Sequence, residues 1–396
     1  MGKTLRALGL MSGTSMDGID VALIETDGED RLERGPSGTY AYSEAFRGNL
    51  RTAIAEAAAI DRRHERPGQL AMMEQYLTDL HVEAVTQFLD DHRIDAKTVD
   101  VIGFHGQTVL HKKVVNKVIV MASNTSEPGL GGETVAPDVV EDRRILTVQL
   151  GDGARLAQQT GIDVVYDLRA ADAAAGGEGA PLAPVYHRAL TAKLPERPVA
   201  VLNVGGVANV TWIGANGELL AFDTGPGNAM IDDWMQNRLG FPRDEDGALA
   251  AKGRVHEDYV TQYLRHSYFG EPPPKSLDRN AFSPWLVHAL SPEDGAATLT
   301  AFTATSIARA REHFPEQPKL WLVSGGGRRN RTLMAMIAER VEAAVAPSEV
   351  AGIDGDSLEA EAWAYLAVRS LNGLPITFPG TTGVSRPLTG GVLARA

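Results

Sequence analysis

The sequence predicts an α/β protein built from two related units that face each other across a cleft. Three observations carry that reading. Residues 5–24 run strand, small polar turn, strand, through Leu-Arg-Ala-Leu-Gly-Leu-Met-Ser-Gly-Thr-Ser-Met-Asp-Gly-Ile-Asp-Val-Ala-Leu-Ile. Residues 199–213, Val-Ala-Val-Leu-Asn-Val-Gly-Gly-Val-Ala-Asn-Val-Thr-Trp-Ile, repeat that plan in the second half of the chain. Short apolar runs and helical patterns interleave over the remainder of the 396 residues, a length that suits two domains, each with its own core.

The elements follow in order from hydrophobic period and punctuation. Residues 5–10 and 19–25 read as paired strands. Residues 49–59 and 69–92 read as helices, the second with Leu70, Met73, Leu77, Leu80, Ala84, Val85 and Phe88 on one face. Buried strands are expected at 99–104, 145–150 and 163–168, and a second set at 199–204, 207–213, 219–222 and 320–323. Helices are expected at 228–239, at 293–314, from about residue 330, and at 357–371, where Asn372-Gly373 supplies the stop. Residues 113–143 break this rhythm. Their Ser-Asn-Thr-Ser-Glu-Pro-Gly-Leu-Gly-Gly-Glu centre is loop chemistry, so the stretch reads as a surface insertion with a β-excursion near 118–121.

Composition excludes several classes. The 38 Lys and Arg against 51 Asp and Glu give a net charge of −13, unsuited to nucleic acid or an anionic membrane. An anionic ligand must then be held locally, by backbone N–H groups or a metal. The absence of Cys removes disulfides, thiolate catalysis and zinc–thiolate sites, and fits a cytoplasmic location. The opening residues lack the apolar run of a signal peptide, and no stretch approaches a membrane span. The sequence leaves a monomer or a homodimer open.

Chemistry concentrates in glycine-rich turns after strands. The turn Gly13, Thr14, Ser15, Met16, Asp17, Gly18, Ile19, Asp20 is overbuilt for a hairpin, and its small donors suit a polyphosphate. Gly205, Gly206 and Asn209 hold the matching place in the second hairpin. Gly325, Gly326 and Gly327 follow a strand and offer a flat surface for an adenine ring. Two hairpins gripping one polyphosphate is the plan of a sugar kinase or an actin-like ATPase. There is no G-x-x-x-x-G-K-[ST] and no G-x-G-x-x-G. Asp223 reads either as an N-cap or as a carboxylate toward hydrated Mg²⁺. Asp172, ahead of Gly176-Gly177-Glu178-Gly179, reads either as a general base or as an N-cap. His105 and Gln107 suit sugar hydroxyls, or else a structural role. Glu359 and Glu361 suit the dipole of the last long helix, or one of them points into the cleft.

Taken together, these motifs resemble the anhydro-N-acetylmuramic acid kinase family over essentially the whole chain. The matching segments include Gly9 to Asp20, His105 to Val109, Gln149 to Asp152, Asp167 to Leu182, Leu202 to Thr211, Phe222 to Asn228, Pro274 to Arg279, Gly325 to Gly327 and Pro379 to Gly383. The resemblance implies a duplicated ribonuclease H-like fold, as in actin-like ATPases and sugar kinases, with an interdomain cleft. The first unit would be residues 1–150, completed by about 374–396, and the second 151–373. It implies ATP and Mg²⁺ as cofactors, with ATP at 13–20, 205, 206, 209 and 325–327. It also implies phosphorylation of the 6-oxygen of 1,6-anhydro-N-acetylmuramic acid with hydrolytic opening of its ring, a step of peptidoglycan recycling. Asp172 matches the base that activates water. His105, Gln107 and Glu359 are the sugar-side candidates, and no metal ligands are assigned. The chain departs from the family pattern in the longer 113–143 segment and in Glu178, which stands where Gln is usual; a carboxylate there would repel phosphate unless it is turned away, protonated or paired. Two rival classes are an actin-like ATPase with a macromolecular partner and a carboxylate-based glycoside hydrolase without ATP.

Overall fold

The computed structural model describes the backbone of residues 2–13, 16–120 and 138–396, and the side chains of all these except 116–120 and 138–143. The first half contributes β1 (Leu5–Ser12), β2 (Gly18–Thr26), β3 (Leu32–Ala41), β4 (Val101–Val120), β5 (Asp138–Leu150) and β6 (Val164–Tyr166). The second contributes β7 (Val199–Val204), β8 (Val207–Ile213), β9 (Leu219–Pro226), β10 (Leu320–Ser324) and β11 (Ala344–Pro347), and the chain returns at β12 (Val392–Ala394).

In the first sheet the order is β12-β6-β4-β1-β2-β3, with β5 paired to β4; in the second it is β11-β10-β7-β8-β9. Each contains an antiparallel three-strand meander whose first strand pairs in parallel with the next strand outward. One topology is therefore written twice, and the duplicated ribonuclease H-like fold follows from strand order.

The helices are α1 (Glu44–Glu56), α2 (Leu70–Asp91), α3 (Gly153–Thr160), α4 (Ala170–Ala174), α5 (Pro184–Leu190), α6 (Ala229–Leu239), α7 (Glu257–Tyr263), α8 (Pro292–Arg309), α9 (Arg331–Val341), α10 (Leu358–Leu371) and α11 (Pro379–Thr382). The helix expected from 49 starts five residues earlier, because the Ser43 hydroxyl caps it by accepting from Phe46 N at 3.2 Å. The apolar face of α2 packs on β-strand residues such as Leu8, Leu10 and Phe104 in one core cluster. Among the described residues, no helix is long and apolar enough to cross a membrane.

Helix α10 lies on the first sheet so closely that glycine is required beneath it. A Cβ at Gly9 would stand 1.7 Å from Ala360 O, and one at Gly103 would stand 2.0 Å from Trp363 O. Its buried residues share a core with Ala7, Val101 and Val165. Both α10 and β6 thus pack with the first sheet, although the expected boundaries after 150 and 373 place them in the second unit.

One expectation is corrected and one strand is added. Residues 113–143 are not a loop throughout: β4 and β5 stay paired from Lys113↔Ile145 to Val120↔Asp138. The excursion expected near 118–121 is strand up to Val120, while Met121 and the Ser123–Glu133 centre lie outside the described residues. β3 was not expected at all. Its Gly-Pro-Ser-Gly core lies in an edge strand, where proline is tolerated.

Candidate active site

The second sheet places one polar side chain on each of four neighbouring strands at the same level. Ser324 on β10 is in register with Asn203 on β7, Asn203 with Asn209 on β8, and Asn209 with Asp223 on β9. All four line one cavity of about 490 Å³. Gly13 and Asp20 line the same cavity from the first sheet, where Asp20 accepts from Thr39 Oγ1 at 2.6 Å. The two hairpins therefore do face a shared space.

The glycines of that space differ in purpose. Gly205 and Gly206, in the β7–β8 turn, have no atom closer than 3.7 Å to a built Cβ and no positive φ. Nothing in the protein itself demands glycine there, so the small residue keeps the cleft side open. Gly325 also lines the cleft and has a φ of 72°. Gly326 is exposed without lining the cavity, and Gly327 is a packing residue whose Cβ would meet Val204 at 2.5 Å. Gly18 is likewise set by packing, 2.5 Å from Tyr40 O. Met16 takes a φ of 54° and closes a turn onto Gly13 O at 3.1 Å. The Asp17 carbonyl accepts from Tyr42 N, and Ile19 is buried in the first core. Thr14 and Ser15 lie outside the described residues.

Asp223 is not an N-cap. It sits within β9, and Asn228 holds the cap position of α6. Its Oδ2 accepts from Leu277 N at 2.7 Å. Burial pushes its carboxyl up to about 7, with Glu178 adding to the rise. Asp20 is raised too, first by burial.

Asp172 is not an N-cap either, since Arg169 holds that position of α4. It is 1% exposed and does not line the cavity. Its Oδ1 accepts from Gly179 N at 2.7 Å and its Oδ2 from Thr382 Oγ1 at 2.6 Å. Gly177 is obligatory, because its Cβ would stand 2.3 Å from Oδ1. The glycine turn and α11 thus close round one carboxylate.

Arg169 escapes sequence reasoning altogether. It lines the cavity and is held by Gly179 O at 2.8 Å, by His105 Nε2, and by the Trp363 ring 5.2 Å away. Burial pulls its guanidinium down to about 10, opposed by Glu359 and Asp172. His105 is buried behind it, not on the cavity wall, and donates from Nδ1 to Gly106 O at 2.7 Å. Burial and Arg169 hold its pKa well below the ordinary histidine value. Gln107 is also buried away from the cavity, and its Oε1 accepts from Ser12 Oγ at 2.7 Å. No signal in the sequence links Arg169 to His105, 64 residues apart.

The structure separates the two glutamates of α10. Glu361 is 1% exposed and bound by Arg34, Tyr186 and Ser357. Glu359 lines the cavity, its pKa raised by desolvation within the cleft and then by Asp20. Glu178, the unusual carboxylate, is paired with Lys113 Nζ at 3.2 Å. Among the described residues, no group of three or more His, Cys, Asp or Glu could hold a metal directly.

Comparison with known proteins places this arrangement. The family described as Anhydro-N-acetylmuramic acid kinase matches residues 5–125 and 114–396. A protein named anhydro-N-acetylmuramic acid kinase from Methylobacterium nodulans is 52% identical over 402 residues, covering 99% of this chain and 100% of its own length. One of the same name from Agrobacterium fabrum is 48% identical over 402 residues, covering 100% of both chains. A third, from Rhizorhabdus wittichii, is 51% identical over 390 residues and covers 98% of each. This chain belongs to the anhydro-N-acetylmuramic acid kinase family.

Proposed function

We propose that this protein uses ATP to phosphorylate the 6-oxygen of 1,6-anhydro-N-acetylmuramic acid while water opens the anhydro ring, giving N-acetylmuramic acid 6-phosphate. The observation that carries the reading is the shared cleft: two equivalent hairpins, one from each sheet, face one cavity whose wall is completed by Arg169 and Glu359. The openness at Gly205 and Gly206 fits close approach of a polyphosphate to backbone. Gly13, Asn209 and Gly325 are the neighbouring contacts in this assignment.

Mg²⁺ suits the carboxylates present. It takes oxygen ligands, retains waters and binds largely through substrate phosphates, so a protein cage is not needed. Asp20 and Asp223 would hold it through water, and bound there it would neutralise developing phosphate charge.

The chemical assignment rests on Asp172. A carboxylate has about four acceptor sites, and the two hydrogen bonds of Asp172 leave others free for a water that reaches it on substrate binding. Water attacks the anomeric carbon as Asp172 takes its proton. The bond from that carbon to the 6-oxygen breaks, and the freed oxygen attacks the γ-phosphorus, releasing ADP. Arg169 faces the anionic charge of the reactants, and Glu359 binds sugar hydroxyls.

The test is incubation of the protein with ATP and the anhydro sugar, with free N-acetylmuramic acid as control. The expected result is one ADP and one 6-phosphate per sugar opened. Opening without nucleotide would favour a hydrolase, and ATP turnover indifferent to sugar would favour a partner-driven ATPase; either overturns the reading.

A further inference from the structure

The turn that holds Asp172 is also held from outside. The Glu178 N–H donates to Thr382 O at 2.8 Å, and the next N–H, of Gly179, donates to Asp172. The Glu178 side chain reaches two other parts of the fold. Its Oε1 pairs with Lys113 Nζ on β4 at 3.2 Å, and its Oε2 accepts from Ser276 Oγ at 3.4 Å. Ser276 and Lys275 line the cleft, and their segment is fastened to β9: Asp223 N donates to Lys275 O at 3.0 Å and Leu277 N donates to Asp223 Oδ2. A continuous line of contacts thus runs from the second sheet, through 275–277 and Glu178, to the first sheet.

Charge makes that line consequential. The Glu178 side chain is 19% exposed, against 55% for Lys113. It stands close to the polar row, since its partner Ser276 adjoins Leu277, whose N–H holds Asp223 Oδ2. A carboxylate unmatched at that place opposes any anionic ligand, and the kinase reading puts a triphosphate and an acid-bearing sugar there.

We propose that Lys113 is a positioning residue of this cleft: by neutralising Glu178 beside the cleft-lining Ser276, it lets the cleft accept polyanionic ligands while Glu178 keeps the Asp172 turn tied to the 275–277 segment. The start of the extended β4–β5 pairing thereby acquires a task, the delivery of one positive charge. The proposal rests on the reading of the cleft as a nucleotide and sugar site.

The experiment is a charge cycle with Lys113→Met, Lys113→Arg, Glu178→Gln and the double variant Lys113→Met/Glu178→Gln. Two readouts are taken: KM and kcat for phosphate transfer, and the calorimetric Kd of a non-hydrolysable ATP analogue. One uncompensated charge near a half-buried site is worth about a factor of ten at an effective dielectric of roughly 20 to 40. Lys113→Met should therefore raise both KM values and the analogue Kd about 5- to 20-fold, with kcat within about twofold. Lys113→Arg should stay near wild type, and the double variant should return to within about twofold of Glu178→Gln. A structural role for Lys113 predicts equal losses in the single and double variants, and that result overturns the proposal, as does an unaffected Lys113→Met. If the wild type transfers no phosphate but the analogue Kd still shows the rescue, the kinase reading falls and the charge role of Lys113 stands.

Discussion

Arg169 donates to one imidazole nitrogen twice, from Nε at 3.2 Å and from Nη2 at 3.1 Å, and that nitrogen is His105 Nε2. The arrangement requires a neutral imidazole with its proton on Nδ1, where Gly106 O accepts it. A half-buried guanidinium is thereby aimed at the cleft by a residue that does not line it.

The first prediction follows from that aim. His105→Leu removes the acceptor and leaves two N–H groups of Arg169 without their partner, a loss of about 1–3 kcal/mol. Phosphate transfer should fall roughly 5- to 150-fold, the equivalent of that energy. His105→Gln keeps an acceptor and should recover part of it. Steady-state kinetics on both variants decide, and equal activities for Leu and Gln would remove Arg169 positioning from the account.

Asp172→Asn separates chemistry from architecture. The amide oxygen still accepts from Gly179 N, and Thr382 can turn its hydroxyl to accept from the amide. Melting temperature should hold within a few degrees, while ring opening and phosphorylation should fall together by roughly 100- to 10,000-fold, the usual worth of a positioned base. Binding of an ATP analogue should persist. Coupled turnover within a few-fold of wild type would leave Asp172 a purely structural carboxylate.

Glu359 and Glu361 should respond in opposite ways. Glu361→Gln breaks a buried pair with Arg34 and should cost on the order of 3 kcal/mol of stability. Glu359→Gln should leave the denaturation midpoint unchanged and raise the sugar KM. Urea unfolding beside kinetics checks both, and a stability loss confined to Glu359→Gln would reverse the assignment.

The same variants show where sequence reading stops. The two hairpins were legible because alternation and glycine turns are local properties. Glu359 against Glu361 was not, because both occupy the first turn of one helix and the choice is made by Arg34, 327 residues from Glu361. Arg169 was invisible for the same reason: its neighbours His105, Gly179 and Trp363 meet only in the fold. The loop chemistry of 123–133 spread too far when extended to 113–143, since the flanking Lys-Val-Val-Asn-Lys-Val-Ile-Val is rich in the β-branched residues that favour strands. The pairing of Glu178 with Lys113 answers a question the sequence could only pose.

Asp223 predicts a pH dependence of known sign. Its folded-state carboxyl titrates near 7, above the unfolded value of 3.8. Between those values the folded protein holds a proton that the unfolded chain has lost, so this residue's contribution to stability falls as pH rises from about 4 to 7 and is level above. Asp223→Asn should flatten that part of the stability profile. In the wild type, ATP and Mg²⁺ binding should strengthen as pH rises through 7 and the carboxylate ionises. Parallel stability profiles for the two proteins would contradict this.

The close seat of α10 over Gly9 and Gly103 has a consequence for synthesis on the ribosome. The first sheet is translated early, but the helix that covers one face of it ends at Leu371 and the strand that finishes its edge ends at Ala394. Nascent chains must carry Ala7, Val101 and Val165 uncovered while more than half the polypeptide is still being made. Vectorial, domain-by-domain folding is therefore closed to the amino-terminal half. A chain released before residue 358 should populate a chaperone-bound or aggregated state, and the full-length chain should reach its native form only after release of its last residues.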